Sequence, residues 1–289
     1  VDFPIVDGVL AGKIAALHSG RKGFYTNIID GRDLGKRNLT VVRGYLKFTP
    51  SNTVDATLSG EYGRNRNGSP VIVNGAQPGD AIYIPGGTTN PGQLLPMFPS
   101  PCLPAGQPCR APDKYLSGQD FGPDKSDMDT YRATLTVNAR DTAIGDITSI
   151  TGYKKFHLEE FTDNDGVFGL GINTYRGTRG WQFSQELRTA LELSQAVDLQ
   201  LGGFYMKTHY NHFMSLQLDF AAPGLRQNNP QDQDNWSGSL FAQTYIDISD
   251  QLRFQAGVRY THEKTDMIAG NDNYINLAGA SLLCTHEGS

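Results

Sequence analysis

The sequence predicts an all-β fold: an antiparallel transmembrane β-barrel fragment of about nine long strands, with short periplasmic turns and long extracellular loops. Three observations predict it. Apolar residues alternate with polar ones at a period of two, the alternating runs are long enough to cross a membrane, and the connections between them alternate in length.

Alternation is clearest in four runs. Val54, Ala56, Leu58, Gly60 and Tyr62 alternate with Asp55, Thr57, Ser59 and Glu61. Tyr131, Ala133, Leu135, Val137 and Ala139 alternate with Arg132, Thr134, Thr136 and Asn138. Val197, Leu199, Leu201, Gly203 and Tyr205 face away from Asp198, Gln200 and Gly202, and Leu252, Phe254, Ala256, Val258 and Tyr260 oppose Arg253, Gln255, Arg259 and Thr261. Successive side chains of a strand point to opposite faces, so each run presents one apolar and one polar face. Val42, Gly44, Leu46 and Phe48 form a less regular outward set, as do Ala242, Thr244, Ile246 and Ile248. Stretches near 10–22, 145–158 and 180–192 complete the count as strands with mixed faces.

At roughly 12 residues, such a strand is about 40 Å long and, tilted by about 45°, rises about 28 Å, enough to cross an apolar band of about 25 Å. Strands of soluble proteins are about half as long. Short connections fall near 49–53, 141–143, 194–196 and 249–250; long ones run over 22–37, 66–127, 159–178, 214–235 and from 267 onward. Short turns at one rim and long loops at the other are the mark of an outer-membrane barrel. The longest loop holds Pro91, Pro96, Pro99, Pro101, Pro104 and Pro108, which argue against a central strand and suit an extracellular ligand-capturing loop.

Composition agrees. The 289 residues include 33 Gly, 13 Tyr and 14 Phe against 2 Trp, which suits turn-rich β-structure. Mean hydropathy is negative, but a barrel hides from hydropathy because its lumenal residues are polar. A net charge of −5 offers no basic footprint, which argues against nucleic acid as a partner, and none is expected. Neither end reads as a natural terminus, and the chain is expected to be a piece of a longer protein. Cys102 and Cys109 bracket Leu-Pro-Ala-Gly-Gln-Pro; a disulfide between them would close a small loop in an oxidising compartment, the alternative being two free thiols. Cys284 is left without a mate.

Several stretches resemble the barrel of TonB-dependent receptors. They are residues 1–15 (VDFPIVDGVLAGKIA), 149–154 (SITGYK), 183–188 (FSQELR), and 240–243 (LFAQ) leading to 255–263 (QAGVRYTHE). The resemblance implies that 1–289 is a partial barrel of that family, whose full barrel has about 22 strands around a plug. It implies an outer-membrane receptor of a Gram-negative bacterium, taking up a scarce nutrient, most simply a ferric siderophore. The partners implied are an extracellular ligand such as a metal chelate, outer-membrane lipid, and the TonB complex, reached through an N-terminal region. The chain departs from the family in showing no plug, no TonB box and no C-terminal aromatic strand. A passive porin-type channel is the first alternative, and a secreted β-rich carbohydrate-binding or hydrolase domain the second.

Candidate sites follow from the faces. Arg43, Lys47, Glu61, Arg132, Asn138, Arg253, Gln255 and Arg259 fall on lumenal positions. Hydration of the interior or contact with a plug explains most of them; for ligand binding the candidates are Arg43, Glu61, Arg132, Arg253 and Arg259. Tyr83, Phe98 and Phe168 are aromatic residues expected in the loops. The acidic run 157–166 (HLEEFTDNDG) has Asp163, Asp165 and Gly166 spaced like half of a calcium loop without its later glutamate, so a solvated loop is expected and no metal. His209 and His212, three apart on a strand, are expected to point to opposite faces, which argues against one shared ion; an outer aromatic girdle with Tyr205, Tyr210 and Phe213 is the expectation. No His-Glu-x-x-His, Gly-x-Ser-x-Gly or P-loop occurs, so no catalysis and no cofactor are expected.

Overall fold

A computed structural model describes residues 2–73, 114–120, 122–166, 171–219, 224–277 and 280–281. The cysteines Cys102, Cys109 and Cys284, the loop aromatics Tyr83, Phe98 and Phe168, and the proline cluster lie outside these residues.

Nine long strands are present, as alternation predicts. They are β2 (Leu10–Arg21), β5 (Arg37–Phe48), β6 (Val54–Asn67), β8 (Ser126–Thr142), β9 (Gly145–Asp163), β10 (Ile172–Ser194), β11 (Val197–Leu218), β12 (Leu225–Ser249) and β13 (Leu252–Ala269). Each pairs antiparallel with the next in chain order. The short β1 (Asp2–Val6) pairs with β2. Beyond Ala269, β14 (Asp272–Leu277) pairs with the first residues of β12, and β15 (Ala280–Ser281) with β14. Among the described residues the sheet is open, with β1 at one edge and β13 together with β14 and β15 at the other.

The strands are longer than expected. β10, β11 and β12 have 23, 22 and 25 residues. A 25-residue strand tilted by about 45° rises nearly 60 Å, about twice the apolar band. Much of what alternation assigns to long loops at 159–178 and 214–235 is therefore continuous strand above the membrane. There both faces meet water, so nothing selects alternation: residues 228–235 read NNPQDQDN, yet they pair with β11 throughout. Pro230 is accommodated because β12 changes neighbour there. Gln231 pairs with β13 and Asn228 with β14, so the missing N–H of Pro230 falls between the two ladders, while its carbonyl accepts from the Gly270 N–H at 2.8 Å.

The short turns stay where the sequence places them. In the β8–β9 turn, Asp141 and Gly145 both have positive φ. A Cβ on Gly145 would lie 2.1 Å from the Ala190 carbonyl oxygen, so space as well as backbone angle demands glycine.

Register settles the faces. Leu46, Leu58 and Leu135 are consecutive cross-strand partners, and so are Leu187, Gly203 and Leu240. Leu240 is 71% and Leu187 54% exposed although their strands are paired on both sides, a pattern that water would penalise and lipid would not. Tyr62 stacks on its partner Tyr131 with ring centroids 5.0 Å apart, and Phe183 lies 6.5 Å from Tyr205, which places aromatic rings along the same outward face.

A second, smaller layer forms where only loops were expected. β3 (Tyr25–Asn27) pairs antiparallel with β4 (Asp33–Leu34) and parallel with β7 (Leu116–Ser117). Leu34, fully buried, is the one buried hydrophobic side chain among the described residues. The fully buried Asn27 donates from Nδ2 to the Gln119 carbonyl at 2.7 Å and accepts at Oδ1 from the Ile29 N–H. Ser117 Oγ donates to the Ile72 carbonyl at 2.7 Å, and the Gly118 N–H to the Gly166 carbonyl at 2.8 Å. Three loops at the long-loop rim are thus tied into one unit.

Candidate functional site

The polar face of the sheet carries the candidate residues, and three of the five come together. Arg43 on β5 pairs in register with Glu61 on β6, which pairs with Arg132 on β8. Arg43 Nε donates to Glu61 Oε2 at 2.6 Å, and its Nη2 reaches the same oxygen. Arg132 Nη1 donates to Glu61 Oε1 at 3.1 Å. One carboxylate between two guanidiniums leaves a net positive charge, and Lys154 on β9, the partner of Arg132, adds another. Both arginines are about half exposed, so solvent screens these ion pairs and they contribute little stability. Their consequence is a basic row across the lumenal wall.

Arg253 and Arg259 stand elsewhere. Arg253, one residue into β13, holds Asp247 in a two-pronged contact at 2.6 and 2.9 Å and reaches Asp198 at 3.6 Å, which ties it to the short-turn rim. Arg259 reaches over the rings of Phe204 and Phe241, 5.9 and 5.8 Å from their centroids. Of the other lumenal positions, Asn138 donates to Asp55 at 2.9 Å, and Arg140 reaches the same carboxylate at 2.5 Å.

The acidic run is not a solvated loop. Asp163 and Asp165 are 2% and 8% exposed. Asp163 accepts backbone N–H bonds from Asp120 at 2.9 Å, Asp165 at 3.2 Å and Gly166 at 2.8 Å, and Asp165 accepts from Ile172 at 2.8 Å. These carboxylates staple the β9–β10 connection to the small sheet. Nearby, just before β8, the Lys125 ammonium is held above its ordinary range by its hydrogen bond to Glu159.

His209 and His212 lie on opposite faces, as their spacing requires. His212 Nδ1 meets Thr178 Oγ1 at 2.7 Å on the polar face, where the Tyr210 hydroxyl donates to Gln233 at 2.5 Å, so neither belongs to an outward girdle. His209 faces outward beside Trp181 and meets two carboxylates, Asp232 and Asp234. The sequence pattern missed both, because they lie on the next strand in a stretch polar at every position.

An open antiparallel sheet with an apolar outer face, a charged inner face and length-sorted connections defines a segment of an outer-membrane β-barrel. The profile of the family described as "TonB dependent receptor-like, beta-barrel" matches residues 55–279, well over half of the chain, and the protein belongs to that family. It is accordingly an outer-membrane protein of a Gram-negative bacterium, with the fold of receptors rather than of enzymes. No curated protein sequence matches it. Among solved structures it is similar to the ferric yersiniabactin uptake receptor FyuA from Yersinia pestis, at 18% identity and a TM-score of 0.65, over 94% of this chain and 39% of that one. It is also similar to P. aeruginosa FpvA bound to heterologous pyoverdines (12%, TM-score 0.56, 96% and 38%). The ferric-catecholate import receptor Fiu from E. coli K12 in its open form is similar too (10%, TM-score 0.52, 99% and 45%). The chain spans less than half the length of these structures.

Proposed function

We propose that this chain is the ligand-facing wall of a receptor for energised uptake of a scarce nutrient, and that the nutrient is a ferric siderophore. The observation that carries the reading is the basic row Arg43–Glu61–Arg132–Lys154 on the inner face of a TonB-dependent receptor barrel. Three cations against one carboxylate, half exposed on a lumenal wall, favour a large anionic chelate. The solved structures it is similar to include receptors named for ferric yersiniabactin, pyoverdine and ferric catecholates, which supports the ligand class. Residues 1–289 then form part of the barrel, with a plug and the coupling segment supplied by the remainder of the receptor. The long-loop rim captures the ligand, the TonB complex drives its passage, and the apolar face sits in outer-membrane lipid.

The test is accumulation of labelled ferric siderophores by cells expressing the full-length receptor, with and without the coupling complex. Uptake that requires the complex is the expected result. Uptake that persists unchanged without it would identify a passive channel, and failure to accumulate any ferric chelate would overturn the ligand class.

A further inference from the structure

The outward face carries a group of side chains that ligand uptake does not use. His209 and Asp234 are direct cross-strand partners on β11 and β12, and the next outward pair up the same two strands is Asn211 and Asp232. Four side chains therefore stand at the corners of a square on one face of the sheet. His209 Nδ1 lies 3.4 Å from Asp234 Oδ1, and Nε2 lies 3.8 Å from Asp232 Oδ2. One ligand atom from each of His209, Asp232 and Asp234 lies within 4.8 Å of the other two. Asn211 Nδ2 lies 3.5 Å from Asp232 Oδ2, which holds that carboxylate over the square. Trp181 flanks the imidazole at 6.3 Å between ring centroids.

Charge makes a second, separate case. On its other side Asp234 pairs in register with Asp266 of β13, and like charges directly opposite each other destabilise a sheet. Lys264 neutralises Asp266, at 2.7 Å. Among the described residues neither Asp232 nor Asp234 has a lysine or arginine within 4 Å; the one basic side chain that close to them is His209. Two carboxylates and an imidazole converging with no fixed cation leave room for a mobile one.

We propose that His209, Asp232 and Asp234 form a divalent cation site on the outward surface of the barrel. One imidazole nitrogen with two carboxylate oxygens is a mixed donor set that suits a borderline ion such as Zn2+ over Ca2+ or Mg2+, which prefer oxygen alone. The three protein ligands leave a coordination position open. His209 is twelve residues beyond Val197, so it stands about 28 Å above the short-turn rim, just outside an apolar band of about 25 Å. A cation held there lies in the outer interfacial zone, open to water and to anionic groups at the membrane surface. It would also clamp β11 to β12 where their polar extensions leave the membrane.

The experiment is a calorimetric titration of the full-length receptor in detergent with ZnCl2, and in parallel with CaCl2. Saturable, chelator-reversible Zn2+ binding is expected, with Ca2+ weaker. His209→Gln and Asp234→Asn should each weaken it roughly tenfold or more, since losing even a group that merely orients a ligand costs about 10–100-fold. His212→Gln, on the opposite face, should leave it unchanged. Copper electron paramagnetic resonance on the unaltered receptor needs no variant to fold; coupling to a single imidazole nitrogen is expected. Absence of saturable Zn2+ binding, binding unaffected by His209→Gln and Asp234→Asn, or a copper signal without nitrogen coupling would each overturn the proposal.

Discussion

The membrane wall and the small extracellular sheet are held together by opposite means. In the wall, apolar side chains such as Leu58, Leu187 and Leu240 are left exposed by the protein itself, and their burial is left to lipid. Cohesion comes from the continuous backbone ladder, in which β10 pairs along almost its whole length with both β9 and β11. The layer of β3, β4 and β7 has almost no ladder, two- and three-residue strands joined by a few bonds. It depends instead on water-excluding burial of Leu34 and on buried polar groups such as Asn27 and Ser117 that bond to backbone. One region is a membrane solution and the other a soluble one, within a single chain.

The largest expected effect tests the soluble half. Leu34→Ala removes the one buried hydrophobic side chain of the layer and should cost it about 2–5 kcal/mol. Limited proteolysis of the full-length receptor should then show cleavage in 22–36 and 114–120, while the urea midpoint of the barrel stays where it was. Loss of barrel stability as well would erase the distinction between the two regions.

The wall should respond to charge on one face alone. Leu135 lies seven residues above the end of β8, about 16 Å up and so near mid-membrane. Leu135→Arg should destabilise the barrel by about 2–4 kcal/mol in a lipid refolding titration. Thr134→Arg faces the lumen and should be tolerated. Gly145→Ala at the short-turn rim should cost about 1–3 kcal/mol, because φ is positive and the new Cβ meets the Ala190 carbonyl. The smallest effect is Glu61→Gln, which should change refolding stability by about 0–1 kcal/mol. It should nevertheless raise the positive charge of the lumenal row, read as tighter binding of an anionic chelate.

These differences also decide what the sequence makes legible. In Val54–Tyr62 and Tyr131–Ala139 one face meets lipid and the other water, so composition records the face at every step and nine strands can be counted. Residues 228–235 have water on both sides, lose the alternation, and read as a loop although they are strand. The small sheet leaves no periodic trace, since its parallel pairing joins Thr26 to Leu116, a residue far along the longest loop. The candidate site divides in the same way. Alternation assigns Arg43, Glu61 and Arg132 to one face, but that Glu61 lies between the two arginines depends on the register of three strands. Register likewise brings Asp234 opposite His209, 25 residues away in sequence.

The central claim, that one face of this sheet is the lipid surface of a barrel, is tested most directly by position-specific quenching. Single tryptophans introduced into a tryptophan-free full-length receptor at Leu58, Leu135, Leu201 and Val258, and at Ser59, Thr134, Gln200 and Arg259, would be measured in bilayers whose acyl chains carry bromine. Strong quenching at the first four positions and little at the second four is the result predicted. Equal quenching in both sets, or the reverse order, would contradict the assignment of the faces.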